Sequence, residues 1–325
     1  MRSRRNEGLR PRVVVTKDIG KEPLARLAKH AEVVLLPLEW TAVELIHHLQ
    51  TSEALLCNVT DTIDKALLRA CPGLRMISNY GVGINHIDIA CAREQQIIVT
   101  NTPGVLTEAT ADLTWALLLD VSRRVSEGDR LVREGKWAGW EPLFMLGREV
   151  SGKCLGIIGM GRIGQAVAQR AKGFRMPVIY HSRRRLPEER EKELGAQYVD
   201  LEQCLSEADY VSIHCPYTPE THHLIGAAEL ERMKPTAFLV NTARGPIVDE
   251  TALIKALKAG RIAGAALDVY EDEPYVPMEL RQLEQVVLAP HLGSATEETR
   301  LAMADMAVNH LIAYFQGETP PNVVC

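Results

Sequence analysis

The chain has 325 residues, 46% of them hydrophobic, and a formal charge of −5; that length exceeds one typical domain, so two domains with a core each are expected. The acidic balance argues against a nucleic-acid binder, which presents a basic face, and no apolar run reaches the length of a membrane span. The cysteines, Cys57, Cys71, Cys91, Cys154, Cys204, Cys215 and Cys325, are odd in number and lack CxxC or zinc-ligand spacing; they read as small core residues in a reducing cytoplasm, with no metal site visible.

The start, Met1-Arg-Ser-Arg-Arg-Asn-Glu-Gly8, is basic without an apolar segment and reads as a frayed arm. From Arg12 the pattern alternates: strand Arg12–Thr16, helix Glu22–His30, strand Glu32–Leu36, helix Thr41–Leu49, strand Ala54–Cys57. This βαβαβ run continues through strands at Met76–Asn79 and Ile97–Thr100, and a long apolar helix spans Leu106–Arg123. A second series of strands starts at Cys154 and proceeds through Pro177–His181, Tyr198–Val199, Tyr210–His214, Ala237–Asn241, Gly264–Asp268 and Val286–Ala289. The helix Ala295–Phe315 comes after the last strand and is free to return to the first unit. The sequence therefore predicts an α/β protein with two Rossmann-like doubly wound parallel sheets. Residues 107–289 form a nucleotide domain inserted into a discontinuous substrate domain of 1–106 and 290–325, with a ligand cleft between them.

Within the second series, Cys154-Leu-Gly-Ile-Ile-Gly159-Met-Gly161-Arg-Ile-Gly164 runs from an apolar strand straight into a G-x-G-x-x-G motif, followed by a helix Gln165–Lys172. Gly159 suits a tight turn, Gly161 lets backbone approach a pyrophosphate, and Gly164 lets helix pack on strand. The anion then sits on a helix N-terminus. Strand before, helix after and a second strand beyond make this a dinucleotide fingerprint rather than an ordinary glycine turn.

At the end of the second strand an NAD site usually carries an acid for the ribose 2′-hydroxyl. Here the chain reads His181-Ser182-Arg183-Arg184-Arg185. Guanidinium forks and a hydroxyl suit a 2′-phosphate, so NADP(H) is favoured, with NAD(H) as the alternative cofactor. A solvated arginine run leading into the acidic helix start at Glu188 is the competing reading.

Three residues at strand exits have the chemistry of hydride transfer on an oxo acid. Arg244, in Asn241-Thr-Ala-Arg-Gly-Pro246, offers a fork that clamps a carboxylate and polarises an adjacent carbonyl. Glu273 precedes Pro274, and His291 follows Pro290. A carboxylate beside an imidazole favours the protonated ring, which donates to a forming alkoxide and recovers the proton in reverse. Spacing leaves open whether the three converge, and a lone His after Pro is usually a loop residue.

Five stretches carry a resemblance: Gly152–Gly164, His214-Cys-Pro-Tyr-Thr-Pro-Glu-Thr221, Val240-Asn-Thr-Ala-Arg-Gly-Pro-Ile-Val-Asp249, Ala266-Leu-Asp-Val-Tyr-Glu-Asp-Glu-Pro274 and Ala289-Pro-His-Leu-Gly-Ser-Ala-Thr296. Together, and in this order, they resemble the D-isomer-specific 2-hydroxyacid dehydrogenases, in particular the glyoxylate/hydroxypyruvate reductase branch, from about Arg12 to Asn322. The resemblance implies that Arg244 clamps the substrate, Glu273 is the partner carboxylate and His291 the proton donor. It assigns Gly159, Gly161, Arg162, Ile163, Gly164, Ser182, Arg183, Arg184, Cys215, Pro216, Thr221, Thr242, Ala243, Asp268 and Gly293 to the cofactor, with Thr107 as a cofactor contact that a helix N-cap explains equally well.

The same resemblance gives the substrate carboxylate to backbone N–H groups near Val82 and Gly83, in the loop Tyr80-Gly-Val-Gly-Ile-Asn-His-Ile-Asp88, where Asn85 stands in place of the family's usual Asp. It implies a homodimer whose arm holds the Trp-rich segment Lys136–Gly147; local burial of Trp140 is the alternative. Family members acting on phosphorylated substrates tend to carry Arg after the third strand, whereas Cys57-Asn-Val-Thr-Asp61 has none, which favours glyoxylate and hydroxypyruvate. A sugar acid such as 2-ketogluconate, or another D-2-hydroxy acid, is the alternative substrate. A nucleotide-sensing binding protein is the alternative of a different class, disfavoured because the chain has no long tail or basic DNA-facing segment.

Overall fold

The computed structural model describes residues 10–325; the arm expected at Met1–Gly8 lies outside the described residues. The chain divides into two compact units, one formed by the residues up to Leu106 with Thr296–Cys325, the other by Thr107–Ala295. The second unit thus runs past the expected limit at 289. The reason is local: the His291 N–H donates to the Asp268 carbonyl at 2.9 Å, and the Leu292 and Gly293 N–H groups donate to the Asp268 carboxylate at 2.6 and 2.8 Å.

In the first unit the strands are β1 (Arg12–Val15), β2 (Glu32–Leu35), β3 (Ala54–Asn58), β4 (Met76–Tyr80) and β5 (Ile98–Thr100), in the all-parallel order β2-β1-β3-β4-β5. Their side chains alternate between two apolar layers. Val14, Leu55, Cys57, Ile77 and Val99 face one; Val13, Val15, Leu56 and Met76 face the other, where Met303, Ala307, Val308 and Leu311 of the helix Glu297–Phe315 cover them. That helix starts two residues later than expected because the Thr296 hydroxyl accepts the Thr299 N–H and caps it.

The second unit holds β6 (Leu155–Ile158), β7 (Val178–His181), β8 (Ala196–Tyr198), β9 (Tyr210–Ile213), β10 (Phe238–Asn241), β11 (Gly264–Leu267) and β12 (Val286–Leu288). They form one parallel sheet in the order β12-β11-β10-β9-β6-β7-β8. Strands β6, β9, β10 and β11 are buried along their whole length, as a parallel sheet covered on both faces requires. The order reverses between β6 and β9, and at such a point the loops leaving the carboxyl ends part and open a crevice. Both units are Rossmann-like α/β folds.

The long helix runs Thr107–Arg123, so Thr107 opens it as a helical residue rather than preceding it as a cap. Among the described residues no helix is long and apolar enough to cross a membrane, and no cluster of His, Cys, Asp and Glu could hold a metal ion.

Candidate active site

The site begins where β6 ends. Gly159 has φ +98°, a left-handed conformation, and a Cβ there would lie 2.3 Å from the Cys215 nitrogen; only glycine lets this turn lie against the exit of β9. Gly161 caps the helix Arg162–Ala171 with no side-chain bond, and a Cβ on it would meet nothing within 4 Å. Gly164 sits inside that helix, where a Cβ would fall 2.2 Å from the Gly159 carbonyl oxygen. The helix therefore starts three residues earlier than the expected Gln165. Among the described residues no side chain caps its first-turn amides, and the space beside Gly161 is open, an arrangement suited to a phosphate.

At the exit of β7, Ser182 is half-buried and Arg183 and Arg184 are exposed. Arg185 is engaged elsewhere: its Nε and Nη2 donate to the Glu191 carboxylate at 2.9 and 2.8 Å. The first acid beyond β7 is Glu188, at the start of the next helix. At the exit of β9, the Thr221 hydroxyl donates to the Pro216 carbonyl at 2.9 Å and accepts the Thr218 N–H at 2.8 Å, which sets the shape of the Cys215–Thr221 loop. Burial pushes the Cys215 thiol up to about 11, which disfavours the thiolate.

After β10, buried Asn241 folds the chain back on itself. Its side-chain oxygen accepts the Ala243 N–H at 3.0 Å and its amide donates to the Arg244 carbonyl at 2.9 Å. The Thr242 hydroxyl turns to the Thr114 hydroxyl, 2.9 Å away. Arg244 is half-buried and donates to the Ala243 carbonyl at 2.7 Å. Burial lowers the guanidinium's affinity for its proton, and the charge of Glu273 opposes that shift.

Glu273 and His291 meet. Nδ1 of His291 donates to Oε2 of Glu273 at 2.8 Å, and Oε1 accepts the Tyr270 N–H at 3.1 Å. Burial alone would raise the Glu273 carboxyl, but its bond to His291, the imidazolium charge, the Tyr270 N–H and Arg244 together hold it below the ordinary carboxylate value. His291 has φ +55°, unusual for a residue with a side chain. Asp268 over-determines that conformation by accepting three consecutive N–H groups, from His291, Leu292 and Gly293. Gly293 is buried, and its carbonyl accepts the Thr110 hydroxyl at 2.9 Å.

Three residues that sequence reasoning passed over tie the Arg244, Glu273 and His291 loops together. Gly245 lies flat on the Tyr270–Glu271 peptide, where a Cβ would be 1.9 Å from the Tyr270 carbonyl carbon. The Tyr270 hydroxyl donates to the Ala289 carbonyl at 2.9 Å. His223 donates its N–H to the Pro246 carbonyl at 2.9 Å while its Nε2 bonds to Glu271. The Gly beside Arg244 was the one available signal, since a glycine next to a functional side chain marks close backbone approach.

In the first unit, the Asn79 amide donates to the carbonyls of Gly81 and Gly83 at 3.0 and 2.8 Å, and the Asn101 amide to that of Val82 at 2.8 Å. With the carbonyls engaged, the Val82 and Gly83 N–H groups bond to nothing among the described residues.

Residues 115–293 match the family described as D-isomer specific 2-hydroxyacid dehydrogenase, NAD binding domain. The chain belongs to this family. A glyoxylate reductase of Thermococcus litoralis is 52% identical over 322 residues, covering 97% of each chain. One of Korarchaeum cryptofilum is also 52% identical, over 97% of this chain and 96% of that one. Among solved structures, a Thermus thermophilus protein superposes with a TM-score of 0.90 at 46% identity, over 97% of this chain and 100% of the other. An NADPH-dependent glyoxylate/hydroxypyruvate reductase of Sinorhizobium meliloti, solved with NADP and malonate, superposes at 0.89 with 34% identity, over 97% of both. As a D-2-hydroxyacid dehydrogenase family member the chain is an oxidoreductase.

The Trp-rich segment does not bury its aromatic surface locally: Trp137 is 55% exposed and Trp140 80%.

Proposed function

We propose that this protein is an NADPH-preferring reductase of small 2-oxo acids, converting glyoxylate to glycolate and hydroxypyruvate to D-glycerate. The observation that carries the reading is the Glu273–His291 hydrogen bond beside Arg244, on loops leaving the carboxyl edge of a sheet that also carries the dinucleotide fingerprint. The glycine loop and the first-turn amides of the helix Arg162–Ala171 fit a pyrophosphate, and Ser182, Arg183 and Arg184, with no acid among them, fit a 2′-phosphate. Cys215, Pro216, Thr221, Thr242, Ala243, Asp268, Gly293 and Thr107 complete the proposed cofactor contacts, making Thr107–Ala295 the nucleotide domain. Bound reduced nicotinamide supplies the hydride to the carbonyl carbon.

The chain's own residues do the rest. Arg244 takes the substrate carboxylate and polarises the neighbouring carbonyl; backbone amides such as those of Val82 and Gly83 suit an anion. As the carbonyl oxygen gains negative charge, His291 releases the proton on Nε2 to it; Glu273 holds Nδ1 and so fixes the orientation of the ring. In the oxidative direction the neutral ring takes that proton back. The exposed Trp137, Trp140, Leu143, Phe144 and Leu146 support a homodimer. The free thiols support a reducing compartment such as the cytoplasm.

Initial rates with glyoxylate, hydroxypyruvate and 2-ketogluconate, each with NADPH and with NADH, test this reading. High kcat/KM on either small acid with NADPH is expected. Activity confined to the sugar acid would replace the substrate, and NADPH binding without turnover on any of the three would favour a sensor. His291→Gln should lower kcat by about 10² to 10⁴, the usual worth of positioned proton transfer.

A further inference from the structure

The three arginines after β7 are not equivalent. Glu191, in the helix Glu188–Leu194, has a side chain only 8% exposed, yet it carries a full set of charge-assisted bonds. The Arg185 Nε and Nη2 approach it as a fork, and the Tyr180 hydroxyl donates to Oε1 at 2.7 Å. That hydroxyl in turn accepts the Leu186 N–H at 2.8 Å. Tyr180 lies in β7 and is fully buried, so the loop that leaves β7 at His181 is tied back to the same strand at Leu186. The Arg185 guanidinium also lies over the Tyr198 ring, 5.8 Å from its centroid.

We propose that Glu191 is a positioning residue for 2′-phosphate recognition: it commits Arg185 as a strut, and the braced loop presents Ser182, Arg183 and Arg184 to the phosphate. The proposal rests on the NADPH reading above. With its Nε–Nη2 edge and its charge already matched to a carboxylate, Arg185 is not a phosphate ligand but the element that keeps the loop from reordering when a phosphate binds. Pre-ordering a loop raises affinity by cutting the entropy lost on binding.

The test compares adenosine 2′,5′-bisphosphate with 5′-AMP, which differ only in the 2′-phosphate, by titration calorimetry on the full chain. Glu191→Gln and Arg185→Ala are each expected to weaken the bisphosphate about tenfold, the double variant no more than either single one, and 5′-AMP is expected to bind unchanged. Thermal melts establish that each variant is folded, and Tyr180→Phe, which breaks the same brace from the strand side, should fall in the same class. The outcome that overturns the strut alone is a selective wild type in which Arg185→Ala weakens the bisphosphate while Glu191→Gln leaves or improves it, for then Arg185 is a ligand that Glu191 restrains. Equal binding of the two nucleotides by the wild type overturns the NADPH reading and the strut with it.

Discussion

Replacing Gly245 by Ala tests whether the Arg244 and Glu273 loops must touch for catalysis. The new Cβ would stand 1.9 Å from the Tyr270 carbonyl carbon and oxygen and 2.5 Å from the Glu271 nitrogen, all of them backbone, while ordinary contact begins at 3.4 Å. No side chain can swing aside, so the two loops must part by about 1.5 Å, the difference between 3.4 and 1.9 Å. Overpacking of this kind costs about 1 to 3 kcal/mol. The larger effect falls on activity, because Arg244 is the next residue on one loop and Glu273 follows Tyr270 by three on the other. A misplacement of about 1 Å costs about 10²-fold in rate, or about 2.7 kcal/mol. Glyoxylate reduction by Gly245→Ala should therefore lose at least about 10² in kcat/KM, with a lowered but cooperative melt and little change in NADPH affinity, since the glycine loop after β6 is untouched. Wild-type kcat/KM in this variant would refute the idea that contact between the loops sets the catalytic geometry.

The glycines of the fingerprint should separate by role: Gly161→Ala has room for its methyl and should keep the wild-type melt while weakening NADPH, whereas Gly164→Ala, with its methyl 2.2 Å from the Gly159 carbonyl, should lower the melt itself. Equal effects of the two on melting would count against this assignment. Arg183→Ala combined with Arg184→Ala should weaken NADPH far more than NADH, and equal losses in direct binding would remove them from the 2′-phosphate site. Acid should weaken the fold by two routes. Glu273 sits below its ordinary value, so the stability it contributes is present above the ordinary carboxylate value and is lost as pH falls through its folded value. His214 is held by burial down to about 3 from 6.5, so the unfolded chain takes up a proton the folded one refuses throughout that interval. That costs up to about 1.4 kcal/mol per pH unit. Urea titrations at descending pH should show stability falling from about 6.5 downward, with a shallower descent for His214→Gln; a flat profile would contradict the sign. Sedimentation of Trp140→Asp with Leu143→Asp should report a monomer if the exposed arm closes a dimer, and an unchanged species would exclude that role.

Strand and helix order was legible in the sequence because these elements arise from patterns within a few residues. Apolar runs become strands buried on both faces of parallel sheets, as at β6 and β9 through β11. The turn at Gly159 and the close helix packing at Gly164 were legible for the same reason, since both fall within one strand–turn–helix unit. The start of the helix at Arg162 was misjudged because a glycine-rich first turn resembles loop until its packing on the strand is known.

Tertiary structure alone decided which distant residues meet. Glu273 and His291 are 18 positions apart and are joined only because β11 and β12 are neighbours whose exits lie at the same edge. A glycine beside Arg244 hints at close backbone approach, but nothing local says that Gly245 meets the Tyr270–Glu271 peptide, or that His223 ties to both loops. Arg183, Arg184 and Arg185 are chemically identical as sequence and all three are exposed; only the placement of the buried Glu191 carboxylate beneath the loop engages Arg185 in a forked ion pair. Residue type carries the chemistry each side chain can perform. Which partner consumes that chemistry is a property of long-range packing, because hydrogen bonds and ion pairs form between groups that the fold brings within about 3 Å.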